Sequence, residues 1–428
     1  MGYKQNDQQP ERSALPDNER QEIRPRLSDS RILIYSHDSF GLGHLRRCRT
    51  IAHSLVEHYK GVSVLILSGS PIIGSFDFRA RVDFVRIPGV IKLYNGEYTS
   101  LGLHIDLQHT LEMRSSIIRY TTETFKPDLF LVDKEPLGLN GEVLQTLEIA
   151  RAGGAAVVLG LRDVMDDPEL LRREWRRKNV LQALENLYDE IWVYGLPEMG
   201  DPMAGIPVPA AIRDKTVYTG YLRRHIPQRR TPLPVEQGVP YILATAGGGG
   251  DGEVMIDWVM RACEAGPSIP YDVVVVLGPF MHPEQRLEFE LRAERLDRVH
   301  VIEFDNQVET LMKEAVGVVA MGGYNTFCEI LTLNKRALLV PRSRPRREQT
   351  LRAERAQQLG LARMVSAENG RETRVMAQAL RDLPHQTPPS EALIPGMLDG
   401  LDVVNQRVEQ FISGAGVPST ESVGSGSW

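Results

Sequence analysis

Residues 316–349, VGVVAMGGYNTFCEILTLNKRALLVPRSRPRREQ, decide the fold of this chain. Val316–Met321 is an apolar run that is long enough for one buried strand and too short for a helix. The pair Gly322–Gly323 then turns the chain into a helix, and a second apolar run, Ala337–Val340, ends at a proline. Strand, glycine turn, helix and strand form a parallel-sheet unit. In such sheets ligands bind at the carboxyl ends of the strands.

The glycine turn is a candidate phosphate site. It exposes backbone N–H groups at a helix N-terminus, where unpaired donors and the helix dipole stabilise an anion. Glu329 lies just inside that helix, and Glu348 and Gln349 follow the next strand. Carboxylate and amide groups suit the hydroxyls of a sugar or a ribose. The stretch therefore predicts a nucleotide-sugar pocket in outline.

The order EF, GGxxTxxE, LLVP and EQxxxA along residues 303–353 resembles the donor-binding half of GT-B glycosyltransferases. The likeness is to the peptidoglycan N-acetylglucosaminyltransferase and its relatives. It implies an α/β protein with two Rossmann-like domains whose parallel sheets face a central cleft. It also implies a bacterial-type transferase that moves a sugar from a UDP-sugar, needs no cofactor and inverts the anomeric centre.

The resemblance implies roles for single residues on the nucleoside and sugar. Phe304 would lie beside the uracil, and Glu329 would bind the ribose hydroxyls. Gln349 would hold the donor sugar, whereas Glu348 departs from the glutamine pair that the family uses at this place. Arg352 replaces a usual asparagine, so the identity of the sugar stays open.

A second set of residues is predicted to meet the donor diphosphate. Four glycines from Gly247 let the backbone approach a phosphate closely, although a flexible loop would look the same. In the resembled family a Gly-x-x-x-Arg motif reaches the diphosphate, which makes Arg224 the match even though Leu222 stands where the family has proline. The predicted contacts on this part of the donor are Arg224, Gly247, Gly248, Gly249, Gly322 and Gly323. Asn325 and Thr326 are further predicted donor contacts. No Asp-x-Asp motif is present, so we expect the site to use no metal.

Glu329 also fits a purely structural interpretation. Thr326 and Glu329 have the spacing of a capping box, which would satisfy the helix start without any ligand. The glycine pair before the helix and the Glu-Gln pair after the next strand favour the ribose interpretation.

The first strand, Arg31–Ser36, runs into the segment GLGHLRRC, residues 41–48. This segment resembles the first loop of a branch of GT-B proteins that includes nucleotide-sugar hydrolases. Histidine suits a general base because its ordinary pKa lies near neutrality. His44 is therefore the predicted catalytic base and His37 a lesser candidate, with a structural role for either as the alternative.

Further candidates for the acceptor side follow strand ends. Gly43 belongs to the first loop, and Asp133, Glu135, Arg162 and Asp163 come directly after apolar runs. Each can face the cleft, but a helix cap or an ion pair explains the four charged residues equally well. Arg46 and Arg47 after His44 fit a phosphate contact or a solvated helix face, and the solvated face is favoured.

Four arginines fall within residues 341–348, at the strand end where the resembled family has its donor-sugar loop. The arginine fork matches carboxylate and phosphate groups. Arg344 and Arg346 therefore suggest an acidic group on the donor sugar or the acceptor. A basic surface loop that keeps the region soluble is the alternative.

Length and composition indicate the class of protein to which the chain belongs. At 428 residues and 48.0 kDa the chain is long enough for two domains, and a net charge of -6 gives no reason to expect nucleic acid. Three scattered cysteines favour a reducing compartment, and no apolar run is long enough to span a membrane or to act as a signal peptide. We expect a cytoplasmic enzyme, with peripheral membrane contact left open.

Apolar runs alternate with helical patterns along both halves, which predicts the following organisation. Residues 1–30 form a disordered tail, 31–224 the acceptor domain, 225–239 a linker and 240–390 the donor domain. Residues 391–412 form a helix that crosses back to the first domain, and 413–428 a disordered tail. A polar loop over residues 93–107 is expected to cover the acceptor.

The prediction for function is transfer of a sugar from a nucleotide sugar to an acceptor hydroxyl. The acceptor, whether lipid, glycan, protein or small molecule, cannot be read from the sequence. The GLGHLRRC loop leaves a nucleotide-sugar hydrolase open, in which His44 would activate water. A non-catalytic nucleotide-sugar sensor is the third alternative.

Overall fold

A computed structural model describes residues 27, 29–37, 43–92, 98–226, 233–236, 238–248, 250–265, 269–305, 307–344, 346–367 and 370–414. Several predictions concern residues outside these ranges. They are most of the tail 1–30, residues 41–42 of the GLGH motif, residues 93–97 of the predicted loop, part of the linker, Gly249 and the tail from residue 415.

The N-terminal half is a parallel α/β domain. Its strands are β1 (Arg31–Ser36), β2 (Ser63–Ser68), β3 (Val82–Arg86), β4 (Val90–Lys92), β5 (Tyr98–Ser100), β6 (Leu129–Asp133), β7 (Ala156–Arg162), β8 (Glu190–Tyr194) and β9 (Thr216–Tyr218). Its helices are α1 (Gly43–His58), α2 (Leu107–Phe125), α3 (Leu144–Ala152), α4 (Pro168–Arg177), α5 (Val180–Leu187) and α6 (Ala210–Arg213). Seven strands form one parallel sheet in the order β3-β2-β1-β6-β7-β8-β9.

The C-terminal half repeats this architecture. Its strands are β10 (Tyr241–Thr245), β11 (Asp272–Val276), β12 (Val299–Ile302), β13 (Gly317–Ala320), β14 (Ala337–Leu339) and β15 (Arg363–Met364). Its helices are α7 (Glu253–Glu264), α8 (Pro283–Ala293), α9 (Val308–Glu314), α10 (Tyr324–Thr332), α11 (Glu348–Gln358), α12 (Thr373–Asp382) and α13 (Gly400–Ser413). The six strands pair in the parallel order β12-β11-β10-β13-β14-β15.

The strand orders explain where a ligand can enter. In the first sheet β1 lies between β2 and β6, and in the second β10 lies between β11 and β13. The chain order reverses at these pairs, so a crevice opens at their carboxyl ends. The central strands are buried on both faces, as the continuous apolar run of β8 requires. This arrangement confirms the predicted fold, two Rossmann-like domains with parallel sheets.

The last helix crosses back onto the first domain but begins later than predicted. A short 3-10 turn occupies Pro389–Ala392, and α13 begins only at Gly400. Two prolines and Gly396, whose φ is 70°, interrupt the helical pattern before it. Within α13 the Asn405 amide hydrogen-bonds the hydroxyl of Ser54 on α1.

The predicted loop over residues 93–107 is partly a strand. Tyr98–Ser100 pairs antiparallel with Val90–Lys92, because the β-branched and aromatic residues at these positions favour extended backbone. After this hairpin the chain turns into α2, where the Asp106 carboxylate accepts a hydrogen bond from the His109 backbone N–H. The acceptor role of this segment stays a prediction.

Candidate functional site

A cavity of about 390 Å³ lies between the two domains at the carboxyl ends of both sheets. Most of the residues predicted from the sequence line it: Gly43, His44, Gly247, Gly248, Phe304, Gly323, Asn325, Thr326, Glu329, Arg346, Glu348 and Gln349. Arg224, Gly322, His37, Asp133, Glu135 and Arg344 are not among the described residues of the lining. Cavities of this size accommodate small-molecule ligands.

His44 stands on the N-terminal wall of the cavity with a carboxylate behind it. Its Nδ1 lies 2.5 Å from Oδ2 of Asp133, which also receives two hydrogen bonds from Arg47, at 2.6 and 2.7 Å. Because the carboxylate can only accept, the Nδ1–H donates and Nε2 keeps a lone pair. Although burial raises the pKa of Asp133, Arg47 and His44 hold it well below its usual range.

Burial lowers the pKa of His44 to about 4, and the attraction of Asp133 only partly offsets it. Nearby Arg47 and Lys134 lower this pKa further. The imidazole is therefore neutral at physiological pH, which is the form that accepts a proton. The neutral imidazole can accept a proton at Nε2, although a pKa of about 4 lies below the near-neutral value that suits a general base best.

His37 lies beneath His44, away from the cavity. The two rings are 5.8 Å apart at their centroids, edge to face. Tyr35 OH lies 3.3 Å from His37 Nδ1 and donates to Glu142, which Arg114 holds through two hydrogen bonds of 2.6 Å. Burial lowers the pKa of His37 to about 3. This packing suits support of His44 better than contact with a substrate.

Arg46 crosses the cleft to two carboxylates of the other domain. Its Nη2 lies 2.5 Å from Glu309 and 2.6 Å from Glu329. Glu329 is 1% exposed, and burial raises the pKa of its carboxyl group. Arg46 opposes this rise, and the nearby charge of Glu309 adds to it. The solvated face favoured for Arg46 and Arg47 is wrong, since both arginines bind buried carboxylates.

The capping-box interpretation of Glu329 is also wrong. The N-cap of α10 is Gly323, which has no side-chain cap bond, and Thr326 lies inside the helix. Thr326, Asn325 and Gly323 instead line the cavity, so the start of α10 opens into it. The first N–H groups of a helix have no intrahelical partner, which leaves them free for an anion.

Arg224 holds α10 from behind the cavity. Its guanidinium donates to Thr50 on α1 at 2.6 Å and to Asn325 on α10 at 2.5 Å. The Asn325 amide in turn donates to the Gly43 carbonyl at 3.0 Å. Both Nη groups of Arg224 thus join the domains, and its contact with the diphosphate stays a prediction.

The arginine-rich loop is largely paired within the protein. Arg342 binds Glu348 at 2.7 Å and also Asp251, and Arg346 lies 3.5 Å from Asp166. Arg347, the next arginine of the loop, pairs with Asp167. Arg344 is exposed and lies outside the cavity lining. Arg346 is thus the member of the predicted pair that can face a ligand.

A second ion pair joins the domains below the cavity. Arg352 on α11 binds Asp163 through two hydrogen bonds of 2.6 and 2.8 Å, and both side chains are 0% exposed. Tyr221 OH donates to the same carboxylate at 2.7 Å, and Arg352 also donates to the Gly322 carbonyl. Asp163 is therefore an ion-pair residue, and Arg352 is structural.

Several cavity residues are not predicted from the sequence. They are Lys134, directly after β6, and Phe76 and Asp251. Arg162, a predicted candidate for the acceptor side, also lines the cavity. The charged run of residues 133–135 directly after an apolar strand was the available signal for Lys134. Phe76 gave no signal, because a lone aromatic residue in a loop is as compatible with the core as with a site.

The described part of the chain contains no group of three or more His, Cys, Asp or Glu side chains arranged to hold a metal ion. Within the same residues, no helix has the length and apolar character that crossing a bilayer requires.

One family model matches the chain. Residues 253–392 match the glycosyltransferase family 28 C-terminal domain. This segment contains α10, Glu329 and the Glu348–Gln349 pair, which is the region that carries the resemblance in the sequence. No curated protein matches the sequence at a significant level.

Solved structures share the fold along most of the chain. The glycosyltransferase VinC in complex with dTDP has a TM-score of 0.60 at 16% identity, over 90% of this chain and 100% of that one. MurG of Acinetobacter baumannii gives 0.54 at 13% identity, over 90% and 99% of the chains. A UDP-N-acetylglucosamine 2-epimerase gives 0.58 at 13% identity, over 93% and 99%. The predicted GT-B fold is confirmed. Together with the family 28 domain, this confirms the predicted enzyme class, a glycosyltransferase.

Proposed function

We propose that this chain transfers a sugar from a nucleoside diphosphate sugar, with UDP as the first candidate nucleotide, to an acceptor hydroxyl by an inverting, metal-independent reaction. One observation carries the proposal. The His44–Asp133 pair faces, across one cavity, a glycine loop, a helix N-terminus and the buried Glu329. The first wall can accept a proton, and the second can hold a phosphorylated donor.

The donor wall has a group for each part of a nucleotide. Gly247, whose φ is 66°, adopts a left-handed backbone that favours glycine, and it lines the cavity with Gly248 and the start of α10. These backbone groups suit the diphosphate. Glu329 suits the ribose hydroxyls, and Phe304, 47% exposed at the cavity edge, suits the face of the base. Two glycosyltransferases of this fold have been solved with dTDP or UDP, in agreement with such a donor.

We expect Glu329→Ala to weaken UDP binding by about 2–4 kcal/mol, since two hydrogen bonds to a charged acceptor are lost. Calorimetry of UDP binding measures this loss. Glu314→Ala, at the exposed end of α9, is the matched control and should bind UDP as the wild type does. Unchanged UDP affinity in Glu329→Ala would show that the carboxylate serves only the contact with Arg46.

The chemical step follows from the placement of His44. The acceptor hydroxyl loses its proton to Nε2 of His44 while its oxygen bonds to the anomeric carbon. The bond from that carbon to the diphosphate oxygen breaks, and the nucleoside diphosphate leaves with the electron pair. Asp133 stabilises the imidazolium that forms. The free N–H groups at the start of α10 meet the charge that develops on the leaving group.

The pH profile of kcat/KM reports on this base. Neutral His44 is the active form, and its pKa is lowered to about 4 by burial. Activity should therefore rise through an apparent pKa near 4 and stay flat with respect to His44 between pH 6 and 8. A midpoint near 6.5, the ordinary value for histidine, would mean that His44 is not the group that titrates.

Two measurements test the whole proposal. Thermal shift with a panel of UDP, dTDP and GDP sugars identifies the donor, because a ligand that binds the folded state raises the melting temperature. Release of the nucleotide is then followed with and without candidate acceptors. Nucleotide release that depends on an acceptor supports transfer. Rapid release of free sugar when water is the only acceptor would favour the hydrolase. Tight binding without any turnover would favour the sensor.

A further inference from the structure

The N-terminal wall of the cavity carries two cations beside the proposed base. Lys134 directly follows β6, and Arg162 is the last residue of the neighbouring strand β7. Both line the cavity on the side of His44, opposite the start of α10. Lys134 follows Asp133, the partner of His44, in the chain. An anion held by Lys134 and Arg162 would therefore lie next to His44, the proposed proton acceptor.

Neither of these two cations has a short ion pair among the described residues, although the carboxylate of Glu348, which also lines the cavity, attracts both. Arg46, Arg47 and Arg342 each contact a carboxylate at 2.7 Å or less. Lys134 reaches Glu135 only at 3.7 Å. Arg162 Nε is fully buried, and no described residue accepts a hydrogen bond from it. A buried donor without a partner costs about 1–3 kcal/mol. Other buried polar atoms of this protein also lack one, among them Nε of Arg224, but Arg162 lines the cavity, where a ligand group can supply the acceptor.

The backbone of Lys134 is a second sign of function. Its φ is 68°, in the left-handed region that a non-glycine residue adopts at a cost of about 1–3 kcal/mol, usually at functional sites. Its N–H donates to the Gly160 carbonyl at 2.8 Å, which ties the strained residue to β7. Its side chain is only 12% exposed, and burial lowers its pKa to about 8. At neutral pH most of the ammonium is charged and poorly solvated.

We propose that Lys134 and Arg162 bind an anionic oxygen group of the acceptor, a phosphate or a carboxylate, and thereby select an acidic acceptor. The inference rests on the proposed function. The donor diphosphate is expected on the opposite wall, at Gly247, Gly248 and α10. A group held beside His44 therefore belongs to the molecule whose hydroxyl His44 deprotonates.

Titration of inorganic phosphate into protein saturated with UDP tests the proposal. UDP fills the diphosphate positions, so any further phosphate site is the one proposed here. At constant ionic strength, Lys134→Gln and Arg162→Gln should each raise the phosphate dissociation constant at least tenfold and leave that of UDP within twofold. Arg31→Gln, an exposed position at the opposite end of the same sheet, should change neither value. Retained UDP binding shows that each variant is folded.

Four outcomes would overturn the inference. Phosphate that binds only in the absence of UDP would belong to the diphosphate positions. Variants that bind phosphate as the wild type does would remove both cations from the site. A loss of affinity in both variants for UDP-glucuronic acid but not for UDP-glucose would assign the cations to the donor sugar. If UDP itself fails to bind the wild type, the proposed function fails as well, whereas UDP binding without phosphate binding overturns this inference alone.

Discussion

His44→Ala should lower turnover about 100- to 10,000-fold, the usual loss when a general base is removed. His44 belongs to the wall opposite the donor, and its Nδ1 is fixed by Asp133 at 2.5 Å. UDP affinity should therefore stay within about twofold of the wild type, so the loss appears in kcat and not in donor binding. Nucleotide release from the best donor in the thermal-shift panel measures the rate.

The matched control is His58→Ala, because His58 is an exposed residue at the other end of the same helix. It should turn over as the wild type does. An unchanged kcat in His44→Ala would contradict the assignment and direct attention to His37 or Asp133. A parallel loss of UDP binding would mean that His44 shapes the cavity and does not act on the acceptor.

Breaking the buried pair between Asp163 and Arg352 should destabilise the protein by about 3–5 kcal/mol, because the charge that remains is buried and has lost its direct partner. Asp163→Ala and Arg352→Leu are the single variants. The double variant should be markedly more stable than the sum of the two losses predicts, since it buries no unpaired charge. Urea denaturation measures the free energies of unfolding.

Arg213→Ala is the control for this cycle. Arg213 pairs with Asp201 at 3.3 Å, but its side chain is 54% exposed, so its loss should cost less than about 1 kcal/mol. If Asp163→Ala and Arg352→Leu lose no more free energy of unfolding than this control, water reaches Asp163. Additive losses in the double variant would show that the two charges do not act as a pair.

The sequence was sufficient for the fold and for the donor wall, because both are local patterns. Short apolar runs, the glycine turn at Gly322–Gly323 and the position of Glu329 inside α10 follow from neighbouring residues. The cavity then gathers most of the predicted residues, since parallel strands bring their carboxyl ends to one edge of a sheet. The donor, the acceptor and the individual roles remain proposals.

The charged partners could not be predicted, because they are distant in the chain. Asp133 lies 86 residues from Arg47, and Glu329 lies 283 residues from Arg46. A helix that carries two arginines resembles a solvated surface unless the carboxylates opposite it are known. In the sequence Arg352 is a departure from the family pattern. In the structure Arg352 joins the domains, because its partner Asp163 lies 189 residues away in the other domain.

The Arg46–Glu329 and Arg352–Asp163 pairs between the domains differ in their access to water, and this difference affects how the cleft can open. The side chain of Arg46 is 23% exposed, so water reaches this pair from the side of the arginine. Asp163 and Arg352 are sealed, and the chain crosses between the domains beside them, where Tyr221 N–H bonds the Met397 carbonyl. The domains should therefore rotate about this sealed end like a hinge, with Arg46 as the latch at the mouth. Release of the spent nucleotide would then require the latch to open together with the longer contacts of Arg346 to Asp166 and of Arg347 to Asp167.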